Sequence, residues 1–332
     1  MTKPDVDLPE ELPLVIRPAI VSSARDSIMR GSKSFAAASR LFDTQTRERV
    51  WMLYAWCRAC DDIADGQDHG STPVAQTNPA KRQAALRMMT HHALSGKLTG
   101  RFAFDALYVL ARETSITQAM ADNVIAGFAL DAQGWRPRTE ADMLRYCYHV
   151  AGAVGVMIAV VMGVDADDED TLDRACDLGI AFQLSNIARD IFQDDAAARS
   201  YLPSEWLEEM AIPPDEITSP QHREALVTLV QRLCARVETY EASARVGAAQ
   251  LSFRQRWAVL SAAGIYGAIA RKVDRLGARA WDRRVHTGKL AKLGCVVRAL
   301  GQAMMSPQPS ARPDLSRREL ADSSSQQRLI TP

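Results

Sequence analysis

Long stretches of this chain carry apolar residues every three or four positions, separated by short segments rich in Gly, Pro, Ser and Asp; a period of two is nearly absent. That pattern predicts helices and no sheet. Helices are expected over residues 25–42, with a break at Gly31-Ser-Lys-Ser34, and then over 46–65, 81–95, 101–113 and 117–131. The series continues over 140–164, 171–195, 222–250 and 253–285, each bounded by Gly- or Pro-bearing breaks. Residues 1–17 read as a flexible arm, 18–305 as a single all-helical domain, and 306–332, rich in Pro, Ser and Arg, as a disordered tail whose deletion should matter little. Residues 66–80 read as a flexible loop placed as a lid would be.

Two helices depart from the pattern by carrying charge where a helix should be dry. In residues 183–195, Gln183, Asn186, Asp190 and Asp194 fall within roughly 80° of one another at about 100° per residue. Leu184, Ile187 and Ile191 flank this stripe on one side, with Leu178 and Phe182 towards the other, so it is expected to face inward. Two buried carboxylates one turn apart repel each other and lose hydration, which implies a cation. Mg²⁺ suits such a site, with Mn²⁺ as an alternative, because a hard ion takes one or two carboxylates and completes its shell with water and phosphate oxygens. A solvated helix is the other reading of a lone D-x-x-x-D. Here the pattern recurs: in residues 51–65, Tyr54, Asp61 and Asp65 share the face of Arg58 with Asp62 alongside, while Met52, Leu53, Ala55 and Ile63 point elsewhere. Facing helices of this kind present four carboxylates to one cavity.

Basic residues lie beside both acidic segments: Lys33 in the Gly-Ser break, Arg58, Arg189 and Arg199. Guanidinium and ammonium groups so placed can hold a diphosphate and neutralise its charge as it departs, although any one of them alone is more often a surface ion-pair partner. Ser32 and Ser34 join the set through a break that exposes backbone N–H groups. With 40 basic and 40 acidic residues the net charge is zero, and nothing argues for nucleic acid as a partner. Six cysteines at 57, 60, 147, 176, 234 and 295 show no framework spacing and read as reduced cytoplasmic thiols. No signal peptide is expected at the start of the chain. The apolar run at 150–164 is shorter than a spanning helix and reads as a buried one; its Gly and Ala fit either close helix packing or a smooth wall for an isoprenoid tail. His149 reads as a packed side chain, and the acidic cluster at 165–170 as a solvated turn that opens the next helix.

Taken together, five segments resemble the squalene and phytoene synthase family, most closely its bacterial phytoene-forming members. They are Gly31-Ser-Lys-Ser-Phe35, Leu53-Tyr-Ala-Trp-Cys-Arg58 running into Asp61-Asp-Ile-Ala-Asp65, Tyr146-Cys-Tyr-His-Val-Ala-Gly152, residues 183–194, and Arg199-Ser-Tyr-Leu-Pro203. The resemblance covers about residues 20–300 and implies an all-α isoprenoid-synthase helical bundle around a central active-site cavity. It implies Asp61, Asp65, Asp190 and Asp194 as metal ligands, with Asn186 and Gln183 supporting the second site. It also implies Ser32, Lys33, Ser34, Arg58, Arg189 and Arg199 as the diphosphate grip, and Tyr146 and Tyr266 as cavity-lining catalytic groups. Arg283-Arg-Val-His286 stands where many relatives carry Arg-Val-Tyr, which leaves Arg284 without a firm role.

The implied reaction is Mg²⁺-dependent head-to-head condensation of two geranylgeranyl diphosphates through a cyclopropyl intermediate, with no nicotinamide cofactor. A lipophilic product implies peripheral contact with the inner face of the cell membrane by an otherwise cytoplasmic protein, and a carotenoid desaturase as downstream partner. The rivals are a squalene or dehydrosqualene synthase acting on farnesyl diphosphate, and a non-enzymatic helical scaffold. Chain-elongating and terpene-cyclising enzymes share the D-D-x-x-D at Asp61, but the second acidic segment lacks their patterns.

Overall fold

The computed structural model describes residues 16–64, 79–132, 134–313 and 315–322, with the side chains of residues 16, 33, 34 and 132 outside that description. All regular structure among the described residues is helical. Helices α1 (Ile16–Gly31), α2 (Lys33–Ala38), α3 (Thr44–Ala64), α4 (Pro79–Leu94), α5 (Phe102–Glu113) and α6 (Gln118–Ala132) form the first half. The second half consists of α7 (Glu140–Cys147), α8 (Ala153–Val161), α9 (Glu169–Ala196), α10 (Ser204–Glu209), α11 (Arg223–Gly247), α12 (Phe253–Leu276), α13 (Lys289–Ala303) and α14 (Arg317–Ala321).

The axis of the bundle is α9, 28 residues long, packed against α8, α11 and α12. Its start is fixed by Asp168, whose carboxylate accepts the Thr171 N–H at 3.1 Å, with Glu169 and Asp170 in the first turn complementing the helix dipole. The acidic cluster before it is thus the expected opening turn. Leu184, Ile187 and Ile191 are buried, as the flanking pattern requires, and so are Met52, Leu53, Ala55 and Ile63 on α3. One large core joins both halves. A separate small cluster of Ala248, Leu260, Ala299 and Ala303, with Trp257 and Val259, holds α13 to the outside of α12.

Residues 140–161 are long and apolar enough to cross a membrane, but 67% of the most apolar window is buried inside the bundle, as in a core helix. A π-helical turn at Tyr148–Gly152 interrupts it, and beyond that turn α8 lies almost against the backbone of α9. A Cβ on Gly155 would stand 2.4 Å from the Ala175 carbonyl oxygen, and one on Gly179 would stand 2.3 Å from that of Ala151. Close packing therefore requires these glycines. Gly179→Ala is expected to cost about 1–3 kcal/mol despite its better helix propensity, because backbone must move to admit the methyl; urea unfolding measures it. His149 is buried, its Nδ1 within 2.9 Å of the Asn123 carbonyl, and burial holds it below the usual imidazole range against that hydrogen bond.

Two expectations need correction. The helix expected to reach residue 285 stops at Leu276, where Gly277 takes φ +52 and its N–H returns to the Val273 and Asp274 carbonyls; few side chains tolerate that backbone. The stretch from residue 306, expected to be a disordered and dispensable tail, instead returns to α9 over its described part. Arg312 pairs with Asp173 at 2.6 Å and Asp177 at 3.1 Å, and Arg317 pairs with Asp173 and Glu169. The expected lid at 66–80 and the expected arm at 1–17 lie almost wholly outside the described residues.

Candidate active site

Helices α1, α3, α8, α9 and α12 enclose a cavity of about 380 Å³. Its wall is almost entirely apolar, from Ile28, Phe42, Val50 and Leu53 to Val154, Ile158, Met162, Leu178 and Ala258. The Gly and Ala of the 146–155 segment serve both readings: Gly155 permits the α8–α9 contact, and Ala151 and Gly155 also face the cavity. Three aromatic rings gather at one end. Tyr266 stacks on Phe182 with ring centroids 4.1 Å apart, and Phe35 lies 5.8 Å from it. Aromatic faces can stabilise a carbocation without attacking it. The Tyr266 hydroxyl stays protonated, raised first by burial, with Arg189 opposing and Tyr54 adding.

Polar groups enter on two helices. On α3 the wall ends with Tyr54 and Cys57, and Arg58 and Asp61 follow one turn on. Arg58 reaches Asp61 at 2.8 Å and Asp62 at 2.6 Å. On α9 the wall ends with Gln183 and Asn186, whose side-chain amide donates to Gln183 Oε1 at 3.4 Å, and Asp190 and Asp194 follow. Asp190 is clasped by two guanidiniums. Arg189 Nε donates to Oδ1 at 2.8 Å and its Nη2 to Oδ2, while Arg284 donates to the same two oxygens at 3.1 and 3.0 Å. Burial alone would raise the Asp190 carboxyl, but the two guanidiniums outweigh it and hold the group below the usual carboxylate range. Asp194 goes the other way: burial first, and then the charge of Asp190, push it up to about 6.

At the end of α9 the chain reverses through Ala198 at φ +59, with Arg199 N–H bonded to the Asp194 carbonyl at 2.8 Å and Ala198 N–H to that of Asp195 at 2.9 Å. This Schellman turn carries Arg199 back beside Asp194, where its charge opposes the upward shift. The donors on these two helices are hard oxygens, from Asp61, Asp62, Asn186, Asp190 and Asp194, and the repulsion of Asp194 by Asp190 is what a divalent cation would relieve. Cys57 offers no thiolate, since burial pushes its thiol up to about 12. Among the described residues no cluster of three or more His, Cys, Asp and Glu is pre-assembled to hold a metal. Asp65 lies outside the described residues, as do the side chains of Lys33 and Ser34. Ser32 is occupied locally, its hydroxyl capping α2 through the Phe35 N–H at 3.3 Å.

Tyr146, expected in the cavity wall, is not there. It is buried, stacked between Trp135 and Tyr201, and its hydroxyl donates to Asp131 at 2.9 Å; the Tyr201 hydroxyl donates to the same carboxylate at 3.0 Å. Asp131 also adds to the raised Asp194 carboxyl, so this Tyr–Asp–Tyr trio stands behind the second acidic segment. Pattern reading missed Asp131, whose only signal was a lone acid closing the apolar Ala126-Gly-Phe-Ala-Leu-Asp131. It also left Arg284 without a firm role, although Arg284 grips Asp190 with two hydrogen bonds.

Residues 28–291 match the family model described as squalene/phytoene synthase. A phytoene synthase of Pseudescherichia vulneris is 45% identical over 290 residues, covering 87% of this chain and 93% of that protein. A 15-cis-phytoene synthase of Pantoea ananas is 44% identical over 292 residues, covering 87% and 94%. Among solved structures, a dehydrosqualene synthase in complex with ligand superposes with a TM-score of 0.77 at 24% identity, covering 87% of this chain and 98% of that one, which shows the fold.

Proposed function

The chain belongs to the squalene/phytoene synthase family, and from that premise we propose that it joins two geranylgeranyl diphosphates head to head to give phytoene. It is a prenyltransferase, and its substrate is a prenyl diphosphate. The observation that carries the reading is the cavity itself, a largely apolar chamber with three aromatic rings, whose walls on α3 and α9 lead one helical turn on to carboxylates and guanidiniums. This occurs in a chain similar over most of its length to phytoene-forming enzymes.

Bound between the acidic segments, Mg²⁺ would neutralise the diphosphate oxygens and make diphosphate a better leaving group. Asp61, Asp190 and Asp194, with Asn186, are the described residues that would hold it, and Asp65 completes the set. Arg58, Arg189, Arg199 and Arg284 stand close enough to these carboxylates to take up diphosphate charge as the allylic C–O bond breaks. Lys33, with Ser32 and Ser34, is proposed as a further phosphate contact. The apolar wall excludes water from the allylic cation, and the rings of Tyr266, Phe182 and Phe35 stabilise it until the second substrate's double bond captures it. Proton loss closes the cyclopropane; a second ionisation, ring opening and proton loss give the hydrocarbon. Two diphosphates and two protons depart and no reductant is consumed, so no nicotinamide is required. Peripheral contact with the inner face of the membrane, and hand-over of product to a desaturase, are part of the same proposal.

Incubation of the purified protein with Mg²⁺ and geranylgeranyl diphosphate, without nicotinamide, is expected to yield a hydrocarbon with the absorption of a conjugated triene. Turnover of farnesyl diphosphate alone would move the chain to the squalene or dehydrosqualene branch, and no diphosphate release from either would leave a scaffold.

The state of Asp194 gives a second test. A carboxyl whose folded value, about 6, lies above the 3.8 of an ordinary aspartate contributes stability below that lower value and loses it as pH rises through about 6. A cation that needs the carboxylate competes with this proton. The rise in unfolding midpoint produced by Mg²⁺ is therefore expected to be full well above pH 6 and to fade as pH drops through it. Scanning fluorimetry across pH reads this directly; an Mg²⁺ effect undiminished on the acid side would remove Asp194 from the site.

A further inference from the structure

The outward face of α13 is apolar where a surface helix should be polar. Leu290, Leu293, Val297, Met304 and Met305 are 86%, 60%, 61%, 75% and 67% exposed. At about 100° per residue Leu290, Leu293 and Val297 fall within roughly 60° of one another, on one stripe along the helix, and Met304 and Met305 follow directly after its last residue. Gly294 and Gly301 lie in the same stripe and add no polar group. Ala299 and Ala303, on the opposite side, are the residues that pack on the bundle. A helix with its apolar face turned outward has an unmet partner.

Along one flank of the stripe, between α11, α12 and α13, runs a groove of about 800 Å³. Arg245, Arg271, Lys272, Arg275 and Arg298 line it, against the two carboxylates of Glu238 and Glu241. Glu241 is buried and already paired with Arg245 and Arg271. Lys272 reaches only the His286 carbonyl, at 3.3 Å, and Arg275 and Arg298 have no hydrogen bond or ion pair among the described residues. The groove therefore holds more cations than its carboxylates answer, beside an apolar stripe. α12 forms the partition between this groove, through Leu260, Gly264 and Ala268, and the reaction cavity, through Ala258, Ala262 and Tyr266.

We propose that the outer face of α13 and the basic groove beside it form a docking surface for anionic phospholipid, with the helix lying in the headgroup plane. Leu290, Leu293, Val297, Met304 and Met305 enter the acyl boundary, and Arg275, Lys272 and Arg298 meet the lipid phosphates. Charge complementarity selects this occupant over a second copy. A two-fold pairing of α13 would bring the two Arg275–Arg298 rims towards each other with no carboxylates on α13 to answer them. The proposal rests on the peripheral-membrane reading above and names the surface that performs it.

The test is flotation of the full chain with phosphatidylcholine vesicles, with and without phosphatidylglycerol. The wild type is expected to float with the anionic vesicles and to be released by salt. Leu293→Ser with Val297→Ser is expected to lower the bound fraction about tenfold. Arg275→Gln with Arg298→Gln is expected to cost roughly tenfold on anionic vesicles alone. Turnover of detergent-dispersed substrate should be unchanged in both pairs, which separates lost docking from lost folding. If the wild type floats and both pairs float equally well, the surface is wrong and the membrane reading survives. If the wild type does not float, both fail. A wild-type dimer that Leu293→Ser with Val297→Ser dissociates in sedimentation velocity assigns the stripe to a second copy and overturns the proposal.

Discussion

Asp190→Ala is expected to lower hydrocarbon formation on the order of 10³-fold, the largest effect of any single substitution at the mouth of the cavity. Its carboxylate is the hub of the second acidic segment: it takes two hydrogen bonds from Arg189 and two from Arg284, and its charge helps raise Asp194. Removing it takes a ligand from the proposed cation and frees two guanidiniums to wander from the leaving group. The fold should survive, because the ion pairs lost are offset by relief of the repulsion on Asp194, so circular dichroism should match the wild type. Diphosphate release measured with geranylgeranyl diphosphate should fall in parallel with product. If release persisted while hydrocarbon vanished, Asp190 would act on the later rearrangement and not on ionisation. Asp190→Asn separates charge from shape: it can still accept from both arginines but offers one neutral oxygen, and should retain little more activity than alanine.

Most helices and the acidic stripe of α9 were legible because each is a local property of spacing. A period of 3.6 with Asp190 and Asp194 one turn apart fixes the side on which they emerge, whatever the tertiary structure. Residues whose role depends on distant contacts were not legible. Asp131 is a single acid at the end of an apolar helix, and its importance appears only when Tyr146 and Tyr201, 15 and 70 positions away, donate to it. The same contact removes Tyr146 from the cavity wall. Arg284 reaches Asp190 because Gly277 ends α12 early and lets the following loop fold back, a reversal that the apolar period across residue 277 conceals. The exposed stripe of α13 is periodic like any core helix, and only packing tells which way it faces.

Composition misled most at the C-terminal stretch, and the second large effect is expected there. Truncation before residue 306, or Arg312→Ala alone, should destabilise the protein by about 3–5 kcal/mol. Asp177 is fully buried in α9, its carboxylate held by Ser243 Oγ at 2.6 Å and by two nitrogens of Arg312 at 3.1 Å. Burial pushes this carboxyl up even with Arg312 and Ser243 opposing it, so without Arg312 it must either bury an uncompensated charge or take a proton. Either course weakens the middle of the helix that carries Gln183, Asn186, Asp190 and Asp194. A Pro- and Ser-rich stretch reads as disordered because it cannot build a core, but Arg312 needs no core of its own, only the buried carboxylate it neutralises. Urea unfolding of Arg312→Ala measures the loss. Asp177→Asn combined with Arg312→Ala should recover much of it, since removing both charges leaves no orphan. Failure to recover would assign the cost to lost packing of the stretch and not to the charge of Asp177.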